Sequence, residues 1–264
     1  EPIFMTSSYV YDSPEQAEAR FKGEDEGFIY SRYGNPTVKL FEDRLAAIEK
    51  GEKCFATSTG MAAVFASLMC ILEQGDKVVA SRALFGSCYQ ILTKILPKYG
   101  IETILVSGTN IEEWEEAIDD RTKAVFFETP SNPTLEIIDI SAVCKIAKKH
   151  GAKVIIDNVF ATPILQHPLE LGVDIVVYSS TKHIDGQGRA LGGAIISDNE
   201  YYDKFLKPYM RHTGASMSPF NAWVMLKGLE TLKLRVEHQS DIALRIANHL
   251  KKHPKISKII YPAE

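Results

Sequence analysis

Seven short apolar runs, rich in β-branched residues, recur through the middle of this chain at 53–56, 77–80, 101–106, 124–127, 153–156, 174–177 and 194–196. Most are too short to be helices, and runs of this kind read as strands buried on both faces. Helical patterns lie between several of them, for example 140–150, closed by Gly151 as a C-cap. Strand–helix alternation predicts an α/β fold with a mainly parallel central sheet and flanking helices.

The chain has 264 residues, 45% hydrophobic and 24% charged, with a net charge of −4. That length supports one large core and part of a second. The charge leaves no electrostatic footprint for nucleic acid, and no apolar stretch approaches the roughly 20 residues of a membrane span. Cys54, Cys70, Cys88 and Cys144 are widely spaced and form no CxxC pair, so they read as free thiols of a reducing compartment. The seven histidines show no metal-ligand spacing, and no metal is expected.

Several of the predicted strands end in polar residues: Thr57, Ser58 and Thr59, then Ser81 and Arg82, Glu128, Asp157 and Ser179. Open α/β sheets bind ligands outside the carboxyl ends of their strands. One of these ends leads through Ser179, Ser180 and Thr181 to Lys182. A lysine there can form an imine with an aldehyde, and nearby hydroxyls can hold a phosphate. An aspartate one strand–helix–strand step away, Asp157, can keep a pyridine nitrogen protonated. Together these requirements describe pyridoxal 5′-phosphate (PLP). Alone, each is weak: a Ser-x-Thr-Lys segment is most often a solvated turn, and a strand-end aspartate most often a cap.

Three further segments suit the same ligand. Gly60 and Met61 open a helix after 57–59, where free N–H groups and the positive dipole end favour a phosphate. Asn132, in a loop stiffened by Pro130 and Pro133, can reach the ring's 3′-oxygen. The aromatic segment 28–37 contains Tyr30 and Arg32, and arginine suits bidentate phosphate binding. The amine of Lys182 must be partly deprotonated to attack, and burial beside a cationic ring lowers its pKa.

The wording and order of six segments, YSRYGNPT (30–37), STGMAA (58–63), LFGS (84–87), ETPSNP (128–133), DNVFATP (157–163) and SSTKHIDGQGRALGG (179–193), resemble the Cys/Met-metabolism family of PLP enzymes. That family includes cystathionine γ-synthases, methionine γ-lyases and homoserine-ester sulfhydrylases. The runs 184–189 and 218–223 look like the sulfhydrylase subgroup that uses the O-succinyl ester. The resemblance implies a fold-type I PLP-dependent transferase. It makes Lys182 the Schiff-base lysine, Asp157 the pyridinium partner, and Ser179, Thr181, Gly60 and Met61 the phosphate cradle. Tyr30 and Arg32 would reach the phosphate in a neighbouring subunit, with Tyr30 counted among the catalytic groups. Phe85 stands where relatives usually stack a tyrosine; a phenyl ring still stacks but carries no proton.

The activity implied is γ-replacement on an O-acylhomoserine, the O-succinyl ester by this wording: the acyloxy group leaves Cγ as a carboxylate and sulfide takes its place, giving homocysteine for methionine biosynthesis. The rivals are cystathionine γ-synthase or methionine γ-lyase activity, or an inactive truncated member. A dinucleotide-binding dehydrogenase is disfavoured, because STGMAA lacks GxGxxG spacing. The expected organisation is an N-terminal arm over 1–34, a PLP-binding large domain over 35–232, and the start of a smaller α+β domain over 233–264. That last part is read as helices at 220–232 and 234–252, then a strand at 257–261, with further chain expected to supply the substrate's carboxylate clamp. A cytoplasmic homo-oligomer is expected, a dimer with shared sites assembling into a tetramer.

Overall fold

A computed structural model of the chain describes residues 1–262. Among these residues, seven strands form one sheet: β1 (Lys53–Thr57), β2 (Lys77–Ser81), β3 (Glu102–Val106), β4 (Thr122–Glu128), β5 (Lys153–Asp157), β6 (Ile175–Tyr178) and β7 (Gly193–Ser197). Each apolar run of the sequence lies within one of them or overlaps it closely. The spatial order is β1-β7-β6-β5-β4-β2-β3. Pairing is parallel from β3 through to β6, and β7 runs against both of its neighbours, β6 and β1. The carboxyl ends of β1, β2, β4, β5 and β6 therefore open on the same side.

The α-helices are α1 (Pro14–Lys22), α2 (Pro36–Glu49), α3 (Gly60–Met69), α4 (Gly86–Gln90), α5 (Ile111–Ala117), α6 (Ile140–Lys149), α7 (Thr162–Leu165), α8 (Asn199–Tyr201), α9 (Lys207–Thr213), α10 (Pro219–Glu230) and α11 (Leu232–Leu250). They cover both faces of the sheet, which is why the strands have no polar alternation. Strand residues still separate with period two. Val125, Phe127, Val154, Ile156, Val176 and Ile196 pack with Phe41 and Leu45 of α2, Trp114 of α5 and Met225 of α10. Ala124, Phe126, Ile155, Ile175, Val177 and Ile195 face Val64 and Leu68 of α3, Tyr201 of α8 and Met210 of α9. All twelve of these strand residues are at most 1% exposed. Burying a valine, isoleucine or phenylalanine side chain, as eleven of the twelve are, gains about 1.5–3 kcal/mol.

Local chemistry fixes where the helices begin. Asn35 accepts the N–H of Thr37 at 2.9 Å, and Pro36 occupies the first turn of α2. The same asparagine donates to the Phe4 carbonyl at 2.9 Å, tying the N-terminal segment to the core. Ser218 accepts from the Asn221 N–H at 3.2 Å ahead of α10. The N–H groups of His150 and Gly151 return to the last turn of α6, and Gly151 takes the left-handed conformation (φ +70°) expected just past a helix end.

The C-terminal reading needs correction. The two helices are there, dividing at Thr231, and α11 sends Leu232 and Val236 into the core beneath the sheet. The strand expected at 257–261 does not form. A β-branched run becomes a strand only with a partner ladder, and no described strand pairs with it. Tyr261 instead donates its hydroxyl to the Ser240 carbonyl of α11 at 3.2 Å. The strand of an α+β unit is thus missing from the described residues. None of their helices is long and apolar enough to cross a membrane.

Candidate active site

A cavity of about 510 Å³ opens at the carboxyl ends of β1, β4, β5 and β6. Thr59, Gly60, Met61, Phe85, Glu128, Asn132, Asp157, Ser179, Thr181 and Lys182 all line it. Segments far apart in sequence thus converge on one space, as the α/β rule for ligand position requires.

One wall is the start of α3. Thr59 caps it by accepting the Ala62 N–H at 3.0 Å, which leaves the first-turn N–H groups of Gly60 and Met61 directed out of the helix. A Cβ on Gly60 would lie 2.6 Å from Ser179 Cβ and 2.8 Å from its Cα, so only glycine lets the helix start approach the β6 loop this closely. That loop is folded back on itself. Lys182 N–H reaches the Ser179 carbonyl at 3.1 Å, and Thr181 Oγ1 accepts the Gly192 N–H at 3.0 Å. Gly186 N–H bonds the Lys182 carbonyl at 2.7 Å. Beyond it, fully buried Asp185 accepts from Arg189 through backbone N–H and Nε at 2.8 and 2.9 Å. Arg235 of α11 donates to the carbonyl of His183 at 2.8 Å. The lysine is therefore carried on a cross-braced turn. Lys182 itself is exposed, so protein groups alone do not supply the burial expected for its amine.

The opposite end of the cavity is acidic. Asp157 accepts the Val159 N–H at 3.0 Å. Although part of its surface faces the cavity, it is enclosed by protein, and this burial pushes its carboxyl up to about 6. Glu128 is 4% exposed, and its two oxygens accept the N–H groups of Phe85 and Asn132 at 2.8 and 2.7 Å. Burial first, then the nearby negative charge of Asp157, raises Glu128 to about 7. Those two hydrogen bonds hold the flanking loops. The 130–133 loop has cis bonds before both Pro130 and Pro133.

The sequence marks Glu128 only as a polar strand end, and its bracketing role depends on loops that meet it in space. His183 also lines the cavity, its imidazole held below the ordinary histidine range chiefly by burial and secondarily by the Arg235 charge; nothing in its spacing signals this. Tyr30 and Arg32, in contrast, do not line this cavity. The Arg32 guanidinium lies 5.4 Å from the Tyr30 ring centroid and 4.9 Å from that of Tyr33, and it donates to the Arg211 carbonyl at the end of α9.

The donor set suits PLP. First-turn N–H groups, Ser179 and Thr181 match a phosphate, and Ser180 Oγ beside them is buried without a partner. Asp157 matches a ring N–H, Phe85 offers a stacking face, and among the described residues Lys182 is the only amine side chain lining the cavity.

Comparison with known proteins points the same way. A family model described as Cys/Met metabolism PLP-dependent enzyme matches residues 1–264. An O-succinylhomoserine sulfhydrylase of Mycobacterium tuberculosis is 55% identical over 99% of this chain and 64% of its own length. One from Pseudomonas aeruginosa is 44% identical over 99% of the chain and 64% of its length. An L-methionine gamma-lyase of Fusobacterium nucleatum is 40% identical over 99% of the chain and 67% of its length. Among solved structures, an O-acetylhomoserine (thiol)-lyase of Campylobacter jejuni, bearing N′-pyridoxyl-lysine-5′-monophosphate, superposes with a TM-score of 0.94 at 36% identity. It is covered over 73% of its length, and this chain over 100%. The chain thus spans somewhat less than two thirds of its sulfhydrylase relatives.

Proposed function

Because the chain belongs to the Cys/Met metabolism family of PLP-dependent enzymes, we propose that its protein replaces the succinyloxy group on Cγ of O-succinylhomoserine with sulfide, giving homocysteine and releasing succinate. The observation that carries this reading is the 55% identity to an O-succinylhomoserine sulfhydrylase, together with a cavity that brings Lys182 and Asp157 to one space. Bound PLP supplies an electron-withdrawing ring that stabilises negative charge developing on the substrate.

Each residue has a role that follows from its chemistry. Lys182 holds the aldehyde end and, as the only amine side chain among the described residues that line the cavity, moves protons at the substrate's α- and β-carbons. Asp157 holds the ring nitrogen's proton. A cation against it offsets the burial that raises its carboxyl to about 6, so the pair favours the charged form of both groups. Gly60 and Met61 N–H groups with Ser179 and Thr181 anchor the phosphate, Phe85 stacks on the ring, and Asn132 faces the 3′-oxygen. Glu128 keeps the loops of Phe85 and Asn132 in place.

Tyr30 and Arg32 belong to the same reading as groups acting in a neighbouring subunit's site. Their position away from their own cavity supports this, and it makes the active unit a homodimer or a higher oligomer. A division into arm (1–34), large domain (35–232) and the start of a smaller domain (233–264) fits that scheme. A cytoplasmic setting suits four free cysteines, three of them buried.

A second reading, methionine γ-lyase activity, is favoured by relatives of that description at 40% identity. The test is a direct comparison of products. The PLP-loaded protein is expected to form homocysteine from O-succinylhomoserine and sulfide faster than from the acetyl ester, and faster than it forms cystathionine with cysteine. Release of an α-keto acid and methanethiol from methionine as the faster reaction would establish the lyase instead. Borohydride reduction followed by mass analysis should place the cofactor on Lys182, and its retention on a Lys182→Ala variant would remove that residue from its role.

A further inference from the structure

A hydrogen-bond chain runs from buried Glu49 through buried Tyr178, which also lines the cavity, and buried Asn158 to half-buried Gln166, and no role given above uses it. Glu49, the last residue of α2, is 0% exposed. Tyr178, the last residue of β6 and 2% exposed, donates its hydroxyl to Glu49 Oε2. The same hydroxyl accepts from Asn158 Nδ2 at 2.6 Å. Asn158 Nδ2 also donates to the Gln166 carbonyl at 3.1 Å, and Gln166 Nε2 returns to Asn158 Oδ1 at 2.8 Å and to the Thr129 carbonyl at 3.0 Å. The ends of β4, β5 and β6 are thereby joined to one another, to α7 and to α2.

Two of these three strand ends, those of β5 and β6, adjoin residues assigned cofactor contacts above. Asn158 directly follows Asp157, and Tyr178 directly precedes Ser179. Burying a carboxyl is costly, and an apolar side chain at the end of α2 would avoid that cost. Glu49 nevertheless sits there with Oε1 unpartnered, and the bond to Tyr178 is its side chain's one hydrogen bond among the described residues. Burial raises its carboxyl to about 8, so at neutral pH it is mostly the uncharged acid, and Tyr178 is pushed further into its neutral form. The chain can fix geometry without placing another charge beside Asp157.

We infer that Glu49 is a positioning residue for cofactor binding: through Tyr178 and Asn158 it holds the strand ends that present Asp157 and Ser179. The inference rests on the PLP reading of the cavity. A site that engages one ligand at both its ring nitrogen and its phosphate needs those two contacts fixed to within about 0.5 Å, which surrounding hydrogen bonds provide.

The test uses the full chain titrated with PLP, reading affinity from absorbance and orientation from the circular dichroism of the bound cofactor. Thermal midpoints are measured without PLP. Glu49→Gln keeps an acceptor for the Tyr178 hydroxyl and should bind PLP within about threefold of wild type. Glu49→Leu and Tyr178→Phe should each weaken PLP about tenfold and alter the cofactor's dichroism, as loss of one buried hydrogen bond predicts. The double variant should be little worse than either single one, because both break the same link. Wild-type affinity and dichroism in Glu49→Leu, even with a lower thermal midpoint, would reduce Glu49 to a stability role and overturn the inference. Equal loss in Glu49→Gln and Glu49→Leu would overturn the neutral hydrogen-bond account. Should Glu49→Leu fail to fold, unchanged PLP binding by Tyr178→Phe overturns the inference on its own. A wild-type protein that takes up no PLP would overturn the cofactor reading itself, an outcome distinct from all of these.

Discussion

Glu128 on β4 and Asp157 on β5 lie directly opposite each other in the parallel ladder, two carboxyls at one end of the cavity. Their division of labour follows from their partners. Glu128 spends both oxygens on the N–H groups of Phe85 and Asn132, whereas Asp157 has one backbone donor and faces the open space. The first therefore shapes the site, and the second is left to meet a ligand.

This pair makes the stability of the cofactor-free protein depend on pH in a defined direction. Burial raises Glu128 from 4.5 to about 7 and Asp157 from 3.8 to about 6. Between its ordinary and raised values, each group binds more protons folded than unfolded. Its contribution is complete below the ordinary value and is lost as pH rises through the raised one. Thermal midpoints of the apoprotein, measured from about pH 4 to pH 8, should fall more steeply with rising pH in wild type than in Glu128→Gln. Parallel profiles would show that Glu128 is not held above its ordinary range.

Asp157→Asn should retain PLP but slow proton removal from the substrate. An amide cannot keep the ring nitrogen charged, and losing a preorganised electrostatic contact at a reacting centre typically costs about 3 kcal/mol, roughly a hundredfold in rate. Exchange of the α-proton with deuterated water isolates this step. Exchange at the wild-type rate would place Asp157 outside the chemistry.

Gly60→Ala should weaken phosphate anchoring more than it weakens the fold. Its methyl would come within 2.6 Å of Ser179 Cβ, and one of the two segments must retreat. Displacing two anion-binding elements from each other should lower PLP affinity by about tenfold or more, on the scale of one or two charge-assisted hydrogen bonds. Titration with PLP, and with inorganic phosphate as competitor, measures it. Unchanged affinity for both would mean that the close approach serves packing alone.

Arg32 is expected to act in a neighbouring subunit. Arg32→Ala and Lys182→Ala should each be inactive, and mixing them should restore part of the activity, because one hybrid site then contains both native residues. Heterodimers shown by mass analysis to have formed, yet without activity, would assign Arg32 to its own subunit.

Much of this was written locally. The strands at 77–81 and 153–157 read directly from short apolar runs, because a sheet covered on both faces leaves no room for polar alternation. Lys182, Asp157, Gly60 and Thr181 were legible as cavity-lining groups because each sits at the end of a strand or just past one, where backbone geometry places it at the carboxyl edge of the sheet. Other features needed the folded chain. A run of β-branched residues at 257–261 gave a false strand, since pairing depends on a partner that sequence does not reveal. Glu128 joins Phe85 to Asn132, and Tyr178 joins Glu49 to Asn158, across 129 residues in the case of Glu49 and Tyr178. Such bonds carry no periodicity or spacing, because only the packing of distant elements brings donor and acceptor together and removes the water that would otherwise satisfy them. The chain by itself determined which groups stand at the strand ends; tertiary structure decided which of them are free to meet a ligand and which are committed to holding the others still.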